Sequence, residues 1–353
     1  RVLQLEHHRR DHRIDWNGAA ALVLTLVPWL IVAEQGRVWG WGSAGSFACY
    51  LLGALGLVAF LFAESRAGDD ALLPLRLFRG RVFSIGSIQS FIVGAGMFGG
   101  MISIPLYLQI VKGASPTKAG LLLLPLVAGI MGASLVAGQV TSRTGRYRMF
   151  PIIGSGLLVI GMGLLTQVGA DTALWETDLF MFVFGAGLGM NMQTLVLAMQ
   201  NSVEPRDMGV ATSAVTFFRQ VGGSLGTAVF LSILFTEAAS NIPHELARSG
   251  VRLPPNSNFS LNDTSGLAGF PESVRHPILV GFSNAMDTVF LVGACVLVIA
   301  FVLSWFLPEV PLRMQSGLQL AREAEAAAGS PDPSGATHSP EDTATETATP
   351  SRR

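Results

Sequence analysis

The sequence predicts an all-α polytopic membrane protein. Three observations carry that prediction: half of the 353 residues are hydrophobic, only 13% are charged, and apolar stretches long enough to cross a bilayer recur eight times. A soluble domain of ordinary composition carries about 25% charged residues, and a span of the hydrocarbon core needs about 20 mostly apolar residues in a helix. A net charge of −1 excludes a phosphate-binding face, and with it nucleic acid as a partner. Cys49 and Cys295 each sit inside an apolar run, where a thiol is a small hydrophobe, so neither a disulfide framework nor a metal centre is expected.

The elements follow in order. Residues 1–15 form a basic linker with Arg9 and Arg10 among His7, His8 and His12, where neighbouring cations oppose metal binding. Two spans, 16–33 and 43–63, occupy the segment 16–64, and a basic loop covers 65–82. Six more spans at 83–108, 119–140, 149–168, 178–200, 211–235 and 286–307 fill the segment 83–308. One long connection, 236–284, is built from Pro, Ser, Asn and Gly with scattered charges. It contains two glycosylation-like triplets, at Asn258 and Asn262, which are too short a pattern to assign. The tail, 309–353, begins with a short helical pattern at 315–328. It then turns rich in Pro, Ser, Thr and Glu, too polar to offset the entropy of ordering.

Positive charge sorts by face. On the side of the N-terminus the short segments carry twelve arginines, among them Arg66, Arg76, Arg79, Arg81, Arg143, Arg146, Arg148 and Arg206; the opposite short loops carry Arg37, Lys112 and Lys118. Because cytoplasmic loops hold the Lys/Arg excess, both ends of the chain are expected in the cytoplasm.

Several residues stand out inside the spans. Gly94-Ala-Gly96-Met-Phe-Gly99 matches a dinucleotide fingerprint in letters, yet it has no preceding strand and no acidic residue at the required distance. The glycine pairs Gly96/Gly100, Gly185/Gly189 and Gly222/Gly226 instead have the spacing that lets membrane helices approach closely. Gln89, Ser103 and Tyr107 share a face of the third span with Gly96 and Gly100, and Met190, Gln193 and Gln200 share one of the sixth. Such stripes suit either a weakly polar cavity wall or interhelical hydrogen bonding. Arg219 is the one basic side chain well inside a predicted span, so it calls for an acidic partner, a watery cavity, or a depth shallow enough to snorkel. By the same boundaries no Asp or Glu lies deep in a span, with Asp178 and Asp287 at the ends, and no His lies in one. Clustered catalytic side chains at membrane depth are therefore lacking, which argues against an enzyme.

The segment Gly138-Gln-Val-Thr-Ser142-Arg143-Thr-Gly145-Arg146-Tyr-Arg148 resembles the basic loop motif of the major facilitator superfamily, with Ser142 in place of Asp and Tyr147 in place of a basic residue. With Tyr107-Leu-Gln109, Gly113-Ala-Ser115-Pro116, Gly185-Ala-Gly187-Leu-Gly189, Gln200-Asn201 and Phe218-Arg219-Gln220-Val-Gly222-Gly223, the ordered series is similar to the fourteen-helix drug/proton antiporters of the EmrB/QacA type. The resemblance implies a C-terminal portion of such a carrier: two extra central helices, then a six-helix bundle, with the N-terminal bundle and its coupling acids outside this chain. It further implies a plasma-membrane exporter of small hydrophobic or amphipathic compounds, driven by the proton gradient and needing no cofactor, with the lipid bilayer and the missing bundle as partners. Gln89, Ser103, Tyr107, Met190, Gln193 and Gln200 would then line the substrate cavity. Arg219 would pair with an acid of the missing bundle, Gly138, Arg143, Gly145 and Arg146 would form a conformational latch, and Gly222 and Gly226 would pack at the bundle interface. The alternatives are a non-transporting membrane scaffold and a partner-dependent half-transporter.

Overall fold

A computed structural model of the chain describes residues 15–68, 71–250 and 271–310, and every regular element among them is helical. The basic linker, the glycosylation-like triplets and the polar tail read from the sequence lie outside the described residues. Helix α1 (Trp16–Trp39) begins where the Asp15 carboxylate accepts the Gly18 N–H at 2.8 Å, and α2 (Ala44–Ala67) begins at Ser43, which caps Ser46 N at 3.2 Å. These two form a hairpin: Gly53 faces the Trp29 ring, and Gly56 lies against the Leu24–Thr25 backbone. A 3₁₀ turn, Leu75–Arg79, leads into α3 (Arg81–Ile110). Then come α4 (Pro116–Leu122), α5 (Leu124–Thr144), α6 (Met149–Leu165), α7 (Leu174–Asn201), α8 (Met208–Arg248) and α9 (Glu272–Trp305).

Seven of these segments are long and apolar enough to cross a membrane, with α4 and α5 counted as one span from Pro116 to Thr144. The expected eighth, α6, has 17 residues, the short end of the spanning range. Helices α3 to α9 pack as two interlocked triplets, α3, α5, α6 and α7, α8, α9. Helix α3 lies on α8, α5 on α7, and α6 on α9, so exchanging the triplets preserves those pairings, as internal repeats do. The α1–α2 hairpin meets this assembly through α8.

Three sequence expectations change. Both described ends of the connection expected at 236–284 are helical, because α8 runs on to Arg248 and α9 starts at Glu272. Leu234, Ala238, Ile242 and Leu246 are buried at a spacing of four on α8, and Val274 and Ile278 are buried on α9 in the same core cluster. The helices thus continue past the apolar runs on amphipathic stripes, which a hydropathy average does not detect. His244 and His276 consequently lie in helices, and Asp287 is no terminal residue: it stands fifteen residues into α9.

The third change concerns the glycines. Gly222 and Gly226 meet the backbone of α3 at Phe91 and Ala95, within the bundle and not at an outer interface. Gly94 meets the backbone of Arg219, while Gly185 and Gly189 meet Leu126 and Ile130 of α5. Gly96 receives the Leu297 side chain and Gly100 the Phe184 ring, each about 2.7 Å from where a Cβ would stand. A side chain at the backbone contacts forces two helices apart. Gly222→Leu is expected to cost at least about 3 kcal/mol, because neither backbone can yield. Gly138→Ala, with nothing within 4 Å of its Cβ position, should be neutral or slightly stabilising. Thermal unfolding of the purified variants in detergent measures both.

Candidate functional site: a groove on helices α5 and α7

Helix α5 buries Leu126, Gly129, Ala133, Ala137 and Thr141 against its neighbours and leaves the opposite face open. Met131 and Leu135 are exposed there at 68% and 62%, values that mark a face left open among the described residues. That face forms one wall of a groove of about 720 Å³ whose lining includes Met131, Leu135, Gly138, Gln139, Ser142 and, from α7, Gln193. Close approach of α5 to α7 at Gly185 and Gly189 brings Gln193 to the groove. The wall is thus mostly apolar, with amides and hydroxyls at its arginine-rich end, a surface suited to amphipathic molecules.

The six polar-stripe residues separate. Gln193 is exposed and lines the groove, and Met190 is half-buried with its Cβ against Gly154. Gln200 donates to the Thr212 hydroxyl at 2.7 Å, tying α7 to α8. Gln89, Ser103 and Tyr107 are buried in the bundle interior, away from the groove. Gln89 donates to the Ser155 hydroxyl at 3.3 Å, Ser155 donates to Asn191 Oδ1 at 3.2 Å, and Asn191 donates to the Gly187 carbonyl at 3.0 Å. This chain joins α3, α6 and α7, so at Gln89 the structure takes the interhelical alternative. The Tyr107 hydroxyl donates to the Gly169 carbonyl at 2.9 Å, and Lys112 donates to the carbonyls of Ala170 and Thr172, which together pin the α6–α7 turn. Burial pulls the Lys112 ammonium below the ordinary lysine range, against the opposing charges of Asp171 and Glu176.

Beside the groove, α5 ends at Gly145, whose φ of 71° is the left-handed cap that glycine adopts without strain and whose N–H returns to the Thr141 carbonyl at 2.9 Å. Arg143 and Arg146 project from this turn, exposed and without an ion pair among the described residues. Tyr147 is buried, its hydroxyl accepts from Val310 N at 3.0 Å, and burial raises its pKa. Arg148 donates to the Trp305 carbonyl at 2.8 Å, the last turn of α9. The loop is therefore anchored at one end, with two free cations at the other. Arg219 is half-buried on α8 and makes no hydrogen bond or ion pair with any described residue.

Two features escaped the sequence reading. Asp207, buried at the head of α8, is held by Arg76 through two bonds of 2.9 and 3.1 Å, joining the turn before α3 to the start of α8. The Glu64 carboxylate, buried near the end of α2, accepts the Leu73 N–H with both oxygens at 3.2 Å. An acid directly before a helix was the available signal for Asp207; nothing local marks its partner 131 positions away. Asp207→Ala leaves Arg76 without this partner and is expected to cost about 2 kcal/mol, below the fully buried range because Arg76 is partly solvated. A lowered unfolding midpoint, smaller for Asp207→Asn, checks this.

Comparison with known proteins adds three relatives and a family. Residues 16–227 match the model of the Major Facilitator Superfamily. A tetracycline resistance determinant of Streptomyces rimosus is 35% identical over 342 residues, covering 90% of this chain and 97% of that protein. An uncharacterized MFS-type transporter of Mycobacterium tuberculosis is 37% identical over 301 residues, covering 85% of this chain and 43% of its own length. Multidrug resistance protein 3 of Bacillus subtilis is 28% identical over 342 residues, covering 91% and 63% respectively. The chain thus spans nearly all of the first relative and less than two thirds of the other two.

Proposed function

This chain belongs to the Major Facilitator Superfamily, and from that membership we propose that it is the C-terminal portion of an exporter of small hydrophobic or amphipathic compounds, of the fourteen-helix drug/proton antiporter type. The observation that carries the reading is the α5–α7 groove: a large, mostly apolar wall with Gln139, Ser142 and Gln193 along it, open on a face that no described residue covers. Opposed to a second bundle, that wall becomes one side of a central cavity, and rocking of the two bundles exposes it to each side of the membrane in turn. The α1–α2 hairpin corresponds to the two extra helices. Relatives named for tetracycline and multidrug resistance support compounds of that class as cargo.

Roles follow from placement. The arginine-rich face is cytoplasmic, with both ends of the chain on that side. Arg143 and Arg146, unpaired beside Gly138 and Gly145, latch onto acidic groups of the opposite bundle when the cytoplasmic side closes. Arg219, half-buried with no partner among the described residues, is neutralised by an acid from the same bundle. Gln193 contacts cargo directly, while Gln89, Ser103 and Tyr107 hold the wall behind it. The proton gradient supplies the energy and no cofactor is required.

The test is drug accumulation in cells stripped of their own exporters and expressing the complete gene. Expression should lower steady-state uptake of tetracycline or a fluorescent cationic dye several-fold, and a protonophore should abolish the effect. Arg219→Ala should remove export at normal membrane abundance, whereas Gln193→Ala should shift the preference among compounds. Unchanged accumulation across a panel of such compounds would sink the proposal.

A further inference from the structure

The half-buried and buried carboxylates of the bundle differ in what holds them. Glu64 is satisfied by the Leu73 N–H, and Asp207 is clamped by Arg76. Asp178, whose Oδ1 is also sealed without a partner, sits five residues into α7, near the helix N-terminus that favours negative charge. Asp287 has none of these. It makes no hydrogen bond or ion pair among the described residues, and its Oδ1 is sealed from solvent without a partner. Its other oxygen is not sealed, so the group reaches the surface of the bundle on one side only.

Contacts fix its depth. Ser283, one turn earlier on α9, donates to the Val168 carbonyl at 3.0 Å, just past the end of α6, so Asp287 lies about 6 Å deeper than that rim. Helix α3 carries Tyr107, whose hydroxyl is committed to the Gly169 carbonyl at the rim. Helix α6 carries no titratable side chain. On α8, the contact of Gly281 with Ile242 sets Glu237 at the depth of Asp287, and His244, Glu245 and Arg248 lie farther outward. Arg219 is the nearest cation on α8 toward the cytoplasmic side. Its backbone meets Gly94 while Leu297 of α9 meets Gly96, which sets it about 18 Å from Asp287 along the membrane normal. On α9 itself Glu272, Arg275 and His276 stand three or more turns outward. A carboxyl group at membrane depth is balanced by a cation or by a proton. Among the described residues no cation pairs with Asp287: Lys112, beside the Tyr107 ring, is held by the Ala170 and Thr172 carbonyls, and Arg219 and Arg275 stand turns away, which leaves the proton.

We propose that Asp287 is a proton-binding site carried by this half of the transporter, loaded from the aqueous phase opposite the arginine-rich face. The inference rests on the proton-driven reading above and adds to it a site on α9, separate from any acid of the second bundle. Inward proton flow would reach it first, about one turn below the rim.

The test reads the proton directly. Membrane vesicles containing the chain are treated with dicyclohexylcarbodiimide across a pH series. The reagent adds the O–H of a protonated carboxyl across its C=N bond and rearranges to a stable N-acylurea, located by peptide mass spectrometry. Asp287 should be labelled, with labelling falling about tenfold per pH unit once most of the group is ionised. Asp287→Glu should keep the label and Asp287→Asn should lose it, with Asp178 as the shallow control. No label at Asp287 at any pH, or a label no greater and no more pH-dependent than that of Asp178, overturns the inference whether or not the variants fold. Labelling needs no transport, so an unlabelled Asp287 in an exporting protein overturns this inference alone. A labelled Asp287 in a protein that exports nothing supports it and overturns the proposed export.

Discussion

Close approach of helix backbones is the constraint on which the rest of this structure depends. Lipid tails are as apolar as leucine, so no hydrophobic force drives one membrane helix onto another, and packing must come from contact area and hydrogen bonds. Here contact area is gained where a missing side chain lets one backbone touch the next: Gly94 and Gly222 between α3 and α8, Gly185 and Gly189 between α7 and α5. These two seams join the halves of the internal repeat, and the groove exists because α5 is drawn tightly onto α7 on one face and left bare on the other.

The same seams decide where polar side chains end up. With α3, α6 and α7 held this close, Gln89, Ser155 and Asn191 meet in the interior and satisfy one another, and the tyrosine one helix-length away reaches the α6–α7 turn. Polarity therefore serves two purposes. Inside the bundle it cross-links helices; on α5 and α7 it dresses an open wall. Charges behave likewise, since Asp207 and Glu64 are consumed by the attachment of loops while Arg143, Arg146, Arg219 and Asp287 are left unmatched among the described residues.

Legibility in the sequence varied by kind of feature. The spans were legible because each is an apolar run of bilayer length, and the glycine pairs because their spacing of four falls on one helix face. The far ends of α8 and α9 were not, because Leu234, Ala238, Ile242 and Leu246 are diluted by polar neighbours such as Glu237, Ser240 and His244. That misplaced boundary hid Asp287, which seemed terminal only because its helix was begun fourteen residues late. The wall residues were half legible: a polar stripe identifies a helix face but not which neighbour covers it, so Gln89 and Gln193 looked alike and proved opposite.

The sequence by itself determined the medium and the sorting of positive charge, because these depend on composition summed along the chain and on the energy of placing each segment in lipid. Tertiary structure alone decided which polar groups are spent and which remain available, because that depends on what lies across the helix interface. Arg76 finds Asp207 across 131 positions, while Asp287 finds no partner among the described residues. Pairing over such separations is set by how glycine seams rotate and stack the helices, and no local pattern of residues encodes it.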